Sequence, residues 1–170
     1  MIGADLRQAA TRVLNLCRAR GLHVATAESC TGGLVAAALT EIPGSSDVVD
    51  RGFVTYSDDA KRAMLGVPAA TLKRYGAVSA QTAKAMAAGA LKNSRADITV
   101  SITGIAGPGG GSKQKPVGLV HFAAASRDGG RIARKRLYGD IGRGRVRLRS
   151  VIEALALLQL LARKARRKGS

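Results

Sequence analysis

The chain has 170 residues, 46% hydrophobic and 23% charged, and its 28 basic against 11 acidic side chains leave a net charge of +17. That length and balance suit one domain with a sizeable core and exclude wholesale disorder. No apolar run reaches the roughly 18 residues of a membrane-spanning helix, no apolar stretch near the amino terminus reads as a secretory signal, and two cysteines without a Cys-x-x-Cys pair fit a reducing cytoplasm.

Leu6, Ala10, Val13, Leu14 and Cys17 recur at helical spacing and predict an amphipathic helix over 4–20, stopped at Gly21. A short apolar run, 22–27, predicts a buried strand. After Glu28-Ser29-Cys30-Thr31-Gly32-Gly33, an Ala/Leu-rich stretch predicts a helix over about 32–42, stopped by Pro43-Gly44. The β-rich segment 48–56 predicts a second strand. Ser57 reads as an N-cap, and Asp58 and Asp59 as first-turn charges, of a helix carrying Lys61 and ending near Gly66. Helices are expected over about 69–74 and over 80–93, the latter capped by Ser79. A strand over 97–103 runs into the glycine-rich loop 104–111. Two strands, 116–125 and 131–138, flank the turn Asp128-Gly129-Gly130 as a hairpin. A closing helix over 145–165 places Val151, Ile152, Leu155, Leu158 and Leu161 three or four apart. The sum is an α/β fold, a three-layer α/β/α sandwich on a mixed, mostly parallel sheet. A single domain is expected over 1–165, with 166–170 as a basic disordered tail.

The charge is uneven, since residues 131–170 hold 13 basic and 2 acidic residues. Such a segment suggests nucleic-acid binding. Against that, aromatics are 3% of the chain, tryptophan is absent, and no zinc-finger or RRM-type signature occurs. The same charge suits a small phosphorylated ligand or simple solubility.

The sharpest local feature is the junction from strand to helix at residues 28–33. A serine there meets unpaired backbone N–H groups at the positive end of a helix, a geometry that can hold an oxyanion or phosphate. The plainer reading makes Ser29 or Thr31 an ordinary N-cap and the glycines packing residues. Cys30 is the rival nucleophile, but a reactive cysteine needs a partner to lower its pKa. The two histidines, His23 and His121, both fall on predicted strands, and Gly-x-Ser-x-Gly is absent, so a Ser–His–Asp triad has no support.

Without histidine, a neutral lysine can activate a serine, often beside a tyrosine. Tyr56 ends a strand and Lys61 lies one turn into the next helix, so both can face the sheet end that carries Ser29. Lys61 as a solvated residue beside Arg62 is the plainer alternative. The 104–111 loop fits neither the Walker A nor the dinucleotide pattern. A lid over a cleft remains open for it, with Lys113 and Lys115 on the lid. Arg143 and Arg147 share a helix face if the last helix begins early, and arginine suits bidentate phosphate contacts. Arg145 and Arg149 read as a solvated basic face. No cluster of His, Cys, Asp and Glu has metal-ligand spacing.

Taken together, Thr26-Ala27-Glu28-Ser29-Cys30-Thr31-Gly32-Gly33, Pro43-Gly44-Ser45-Ser46, Gly52-Phe53-Val54-Thr55-Tyr56-Ser57 with Lys61, Gly76-Ala77-Val78-Ser79, Ser101-Ile102-Thr103-Gly104-Ile105-Ala106-Gly107-Pro108-Gly109-Gly110 and Lys115-Pro116-Val117-Gly118 resemble the C-terminal domain of the CinA competence/damage-inducible family. The resemblance spans nearly the whole chain in the expected order. It implies the activity of the family's stand-alone nicotinamide-nucleotide amidases, which hydrolyse nicotinamide mononucleotide to nicotinate mononucleotide and ammonia. It also implies a stand-alone form, since the segments of an N-terminal CinA domain do not occur. By residue, it implies Ser29 as nucleophile, Lys61 as general base and Tyr56 as the group that orients or relays protons. Thr31, Gly32, Thr103 and Gly104 fall on the substrate and oxyanion side, and Ser45 becomes a candidate for the ligand's phosphate or ribose. The family's Gly-Asp-Arg segment appears here as Gly139-Asp140 followed by Ile141-Gly142-Arg143, a two-residue departure that leaves Arg143, favoured, or Arg147 to do that arginine's work.

The expected function is therefore amide hydrolysis by a serine nucleophile and lysine base in the cytoplasm. No metal or organic cofactor, no membrane and no nucleic acid is expected, and a homo-oligomer is the expected assembly. The rival is a non-catalytic nucleotide or nucleic-acid binding module linked to competence and DNA damage. High basicity favours the rival; the joint presence of Ser29, Tyr56 and Lys61 favours the enzyme.

Overall fold

Residues 3–165 are described in the computed structural model, so the tail expected over 166–170 lies outside the described residues. In chain order the elements are α1 (Ala4–Arg20), β1 (Val24–Glu28), α2 (Leu34–Thr40), a 3-10 turn (Ser45–Asp47), β2 (Val49–Val54), α3 (Asp58–Leu65), α4 (Ala69–Tyr75), α5 (Ala80–Lys92), β3 (Ile98–Gly104), β4 (Leu119–Ser126), β5 (Arg131–Leu137) and α6 (Arg143–Lys164). The first helix shows how closely local chemistry sets these bounds. Leu6, Ala10, Val13, Leu14 and Cys17 form its buried stripe, and it stops where Gly21 takes φ 65. There the amides of Gly21 and Leu22 close onto the carbonyls of Arg18 and Cys17, a left-handed cap that glycine adopts without strain.

The five strands form one sheet in the order β2-β1-β3-β4-β5. β1 pairs in parallel with both β2 and β3, placing Glu28 opposite Val54 and Ile102. β3–β4 and β4–β5 are antiparallel, so β4 alone runs against the other four strands. The sheet is thus mixed and mostly of one direction, the chain reversing once through residues 105–118 into β4 and again at the 128–130 hairpin into β5.

Alternation along the strands divides the core between two faces. Val24 of β1, Ile98, Val100 and Ile102 of β3, and Val120, Phe122 and Ala124 of β4 join α1, α2 and α6 in one apolar cluster. Ala25 and Ala27 face the other way, packing with Phe53, Leu65 and Met86, and Ala123 and Ala125 meet Ala83, Ala87 and Leu91 of α5. α3 and α4 pack against α5 on this second face, completing the three layers. On the same face β3 carries hydroxyls, with Thr99 donating to Ala87 O (2.9 Å), Ser101 to Ala83 O (2.6 Å) and Thr103 to Ala77 O (2.8 Å).

Two boundaries differ from the sequence pattern in ways that matter for the site. α2 begins at Leu34 rather than 32, because Gly32 and Gly33 both sit in the left-handed region, at φ 58 and 94. α6 begins at Arg143 rather than 145, right after Gly142 at φ 88, which puts Arg143 and Arg147 on one helical face. No helix among the described residues is long and apolar enough to cross a membrane.

Candidate active site

Three parallel strands end at one edge of the sheet. Ser29 follows β1, Thr55 follows β2 and Gly104 closes β3. Ser29 continues the strand rather than opening a helix, since its amide donates to Ile102 O at 2.9 Å. Alternation from Ala25 and Ala27 directs it to the face covered by α3.

The preceding residue holds this turn in place. Glu28 is fully buried and points to the opposite face. Its carboxylate accepts from Thr26 Oγ1 (3.2 Å) and from the amides of Gly33 (3.1 Å), Val35 (3.0 Å) and Ala36 (2.9 Å). It therefore caps α2, whose own N-cap residue, Gly33, has no side chain to do so. From α6, Arg147 donates to Cys30 O and Thr31 O, both at 3.1 Å. The loop 29–33 is thus clamped by a buried anion on one side and a guanidinium on the other.

Lys61 arrives on α3, whose start is fixed by Ser57 Oγ accepting from the Ala60 amide at 3.0 Å. Its side chain is 1% exposed, and it is the one buried lysine or arginine among the described residues. The ammonium donates to Ser29 Oγ at 3.2 Å and to Thr55 O at 3.1 Å, with Asp58 Oδ1 3.8 Å away. Burial lowers its pKa from the ordinary lysine value, and Asp58 and Cys30 offset part of that effect. A lysine that sheds its proton more readily, in hydrogen-bond contact with a serine hydroxyl, can act as that hydroxyl's base.

Tyr56 is 60% exposed at the mouth of this pair. Its hydroxyl accepts from Arg143 Nη2 at 3.0 Å, while Arg143 Nη1 donates to Gly107 O at 3.0 Å. One guanidinium thereby ties the end of β2 to the glycine-rich loop. Arg143 and Arg147 play different parts: the first bridges the mouth, and the second is engaged with the loop behind Ser29.

Cys30 is a buried thiol pushed up to about 12, chiefly by burial, so it stays protonated. The histidines are placed elsewhere. His23 precedes β1 at the far end of the sheet, beside Asp97. His121 sits on β4, two strands away, where burial and then Lys135 and Lys115 hold its imidazole below the ordinary value.

The remaining candidates divide. Thr31, two residues after Ser29, is fully buried and its hydroxyl has no hydrogen-bond partner; Thr55 Oγ1 is in the same state, on the residue whose carbonyl accepts from Lys61. Gly32 packs under Arg147, where a Cβ would stand 3.3 Å from Nη2. Thr103 spends its hydroxyl on Ala77 O. Gly104 is pressed against β4, where a Cβ would fall within 2.9 Å of Val120 and Leu119 O. Ser45 is not brought to this group. Its turn leads into the start of β2, where Val24 N donates to Val48 O, so the whole length of β1, about 16 Å, separates it from Ser29. Lys115 turns away to donate to Tyr75 O at 2.6 Å. Sequence reasoning missed the cap by Glu28 and the approach of Asp58 to Lys61. The second had a signal, because residues three apart on a helix are neighbours. Among the described residues no group of three or more His, Cys, Asp and Glu side chains is gathered to hold a metal ion.

The family model described as the CinA C-terminal domain matches residues 6–162. The nicotinamide-nucleotide amidohydrolase PncC of Escherichia coli K12 is 50% identical over 159 residues, covering 93% of this chain and 95% of its own. A competence-damage inducible protein of Caldicellulosiruptor bescii is 49% identical over 155 residues, and a CinA-like protein of Akkermansia muciniphila 51% over 166. These two matches cover 91% and 98% of this chain, which spans only 37% and 38% of the length of those longer relatives. The crystal structure of the competence/damage inducible protein CihA from Agrobacterium tumefaciens superposes with a TM-score of 0.93 at 57% identity, covering 95% of this chain and 98% of the other.

Proposed function

The chain belongs to the CinA C-terminal domain family, and from that premise we propose that it is a nicotinamide-nucleotide amidase. It takes nicotinamide mononucleotide to nicotinate mononucleotide and ammonia, with Ser29 as nucleophile and Lys61 as base. The observation that carries this reading is the buried contact of 3.2 Å between Lys61 Nζ and Ser29 Oγ. The likeness over nearly full length to a relative named for that activity supports the substrate class.

Neutral Lys61 takes the proton of Ser29 as Oγ bonds to the carboxamide carbon, and the carbonyl π electrons move onto oxygen. The resulting ammonium gives its proton to the departing nitrogen, the C–N bond breaks, and ammonia leaves an ester on Ser29. Water then loses a proton to Lys61 and attacks that ester; the C–Oγ bond breaks, Ser29 recovers its proton, and the acid is released. In this reading Arg143 meets the substrate phosphate, and the backbone around Thr31, Gly32, Thr103 and Gly104 serves the substrate and oxyanion side. Tyr56 orients the entering amide through its hydroxyl.

The net charge of +17 favours the alternative of a nucleotide or nucleic-acid binding module. Incubation of the purified protein with nicotinamide mononucleotide separates the two. Ammonia release that vanishes in Ser29→Ala is the expected result, and tight binding without release belongs to the alternative. A cytoplasmic setting and a homo-oligomer complete the proposal. The apolar groove formed by Leu6, Leu34, Leu148, Val151 and Ile152 supports self-association, which sedimentation checks.

A further inference from the structure

Among the described residues Lys61 has one carboxylate within ion-pair reach. Asp58 lies one turn earlier on α3, with Oδ1 3.8 Å from Nζ. Its side chain is 57% exposed, whereas the lysine it faces is 1% exposed. The next residue, Asp59, is 94% exposed and turns to Arg62 at 3.7 Å. The two acids look equivalent in sequence, as first-turn charges at the positive end of a helix. Only one of them reaches into the site.

Cys30 offsets burial of Lys61 less than Asp58 does, and the other groups around the lysine bring no compensating charge. β1 contributes the Ser29 hydroxyl and the Cys30 thiol, and the end of β2 contributes the Thr55 carbonyl. Glu28, on β1, is turned to the opposite face and taken up by the α2 amides. α4, α5 and β3 contain no acidic residue at all. The two cations that α6 brings to this end of the sheet are both engaged, Arg143 with Tyr56 and Gly107 and Arg147 with the carbonyls of Cys30 and Thr31.

We propose that Asp58 is a positioning residue for Lys61: it holds the ammonium in line with Ser29 Oγ and steadies the positive charge that Lys61 acquires each time it takes the serine's proton. The inference rests on the Ser29–Lys61 reading of the site. At 3.8 Å the contact is electrostatic rather than a hydrogen bond. Asp58 therefore acts against burial, which alone would leave Lys61 a weaker base. Its exposure keeps the effect moderate, since solvent screens one side of the pair.

The test is the pH dependence of kcat/KM in Asp58→Asn and Asp58→Ser, with Asp59→Asn as the control that removes a first-turn acid facing away. Loss of Asp58 is expected to move the acid limb to lower pH by about 0.5–1 unit. Asp59→Asn leaves it in place. A second readout needs no turnover: in a Ser29→Ala background, the 13Cε resonance of labelled Lys61 titrates at a pH lower by the same amount when Asp58 is replaced. An acid limb that stays put or moves up, or an equal shift in Asp59→Asn, overturns the proposal. If Ser29→Ala keeps wild-type turnover, the reading of the site has failed instead. An inactive Ser29→Ala with an unmoved limb in Asp58→Asn refutes Asp58 alone.

Discussion

Lys61 Nζ stands 3.2 Å from Ser29 Oγ although 32 residues separate the two in sequence. Parallel pairing makes the contact. β1 and β2 run side by side, and Thr55 N donates to Glu28 O at 2.8 Å, so the carboxyl ends of both strands finish at one place. α3 starts four residues after β2 ends and returns over that edge, laying Lys61 on the turn that carries Ser29. Crossover connections of this kind put ligand sites outside the carboxyl ends of parallel strands.

Ser29→Ala is expected to lower the rate of amide hydrolysis by several orders of magnitude while the thermal transition stays near that of the wild type. Cys30→Ala is the informative comparison. Its thiol is buried and held protonated by a pKa of about 12, so it supplies packing and no nucleophile. Its loss costs about 1–2 kcal/mol of stability and leaves most of the turnover. Steady-state kinetics of both variants decide, and the assignment fails if the cysteine variant is the dead one.

Much of the fold could be read from the chain because the local signals agree. The stripe from Leu6 to Cys17 and the stop at Gly21 fix α1 to the residue. The hairpin around Asp128-Gly129-Gly130 gives the antiparallel reversal. What escaped depends on tertiary context. The late start of α2 follows from two left-handed glycines whose conformation no periodicity reveals. The 3-10 turn at Ser45–Asp47 has no pattern of its own, and a Pro-Gly-Ser loop does not say at which end of a sheet it will lie. The pairing of Ser29 with Lys61 was legible through the family resemblance, whereas spacing offered only two polar residues on neighbouring elements. Glu28 as the cap of α2 was hidden, because it requires the strand to end one residue before the serine and the helix to turn back behind it.

Substitutions of Lys61 separate charge from basicity. Lys61→Arg retains the charge but cannot yield its proton near neutral pH, so it is expected to be nearly inactive. Lys61→Met is inactive for want of a base, and its stability carries a second signature. The lysine pKa is lowered in the fold relative to the unfolded chain, mainly by burial. At pH below the folded value both states are protonated and the fold bears the cost of the buried charge. As pH rises through the folded value toward the unfolded one, the unfolded chain binds more protons and the wild type gains stability. The stability of Lys61→Met relative to wild type should therefore fall with rising pH. Urea unfolding across that range checks it, and a relative stability that rises with pH contradicts the assigned burial cost.

The two arginines of α6 should fail differently. Arg143 bridges Tyr56 and Gly107 at the mouth, so Arg143→Ala should raise KM for the phosphorylated substrate far more than for the riboside. A hydrogen bond to a charged group is worth about 1.5–3 kcal/mol, or roughly 10- to 150-fold. Arg147 is engaged with the carbonyls of Cys30 and Thr31, so Arg147→Ala should depress kcat for both substrates alike and lower the melting temperature. A phosphate-selective loss in Arg147→Ala with none in Arg143→Ala would exchange the two roles.

The position of Lys61 also depends on a residue that touches no substrate. Gly89, inside α5, lies against the end of α3, where an added Cβ would stand 1.9 Å from Leu65 O and 2.9 Å from Leu65 Cβ. Both obstacles belong to the last residue of α3, and the first is backbone, so no side-chain rotation relieves it. Gly89→Ala must push α3 away from α5, and with it Lys61 away from Ser29. Overpacking of this kind costs about 1–3 kcal/mol, more than the roughly 1 kcal/mol that alanine gains over glycine in a helix. Gly144, in the first turn of α6, is the control, because a Cβ there meets nothing within 4 Å. Gly144→Ala should be neutral or slightly stabilising with turnover retained, whereas Gly89→Ala should melt lower and lose kcat at little change in KM. Equal melting temperatures for the two variants would mean that α3 is not held by its contact with Gly89, and some other packing must then fix the lysine over the serine.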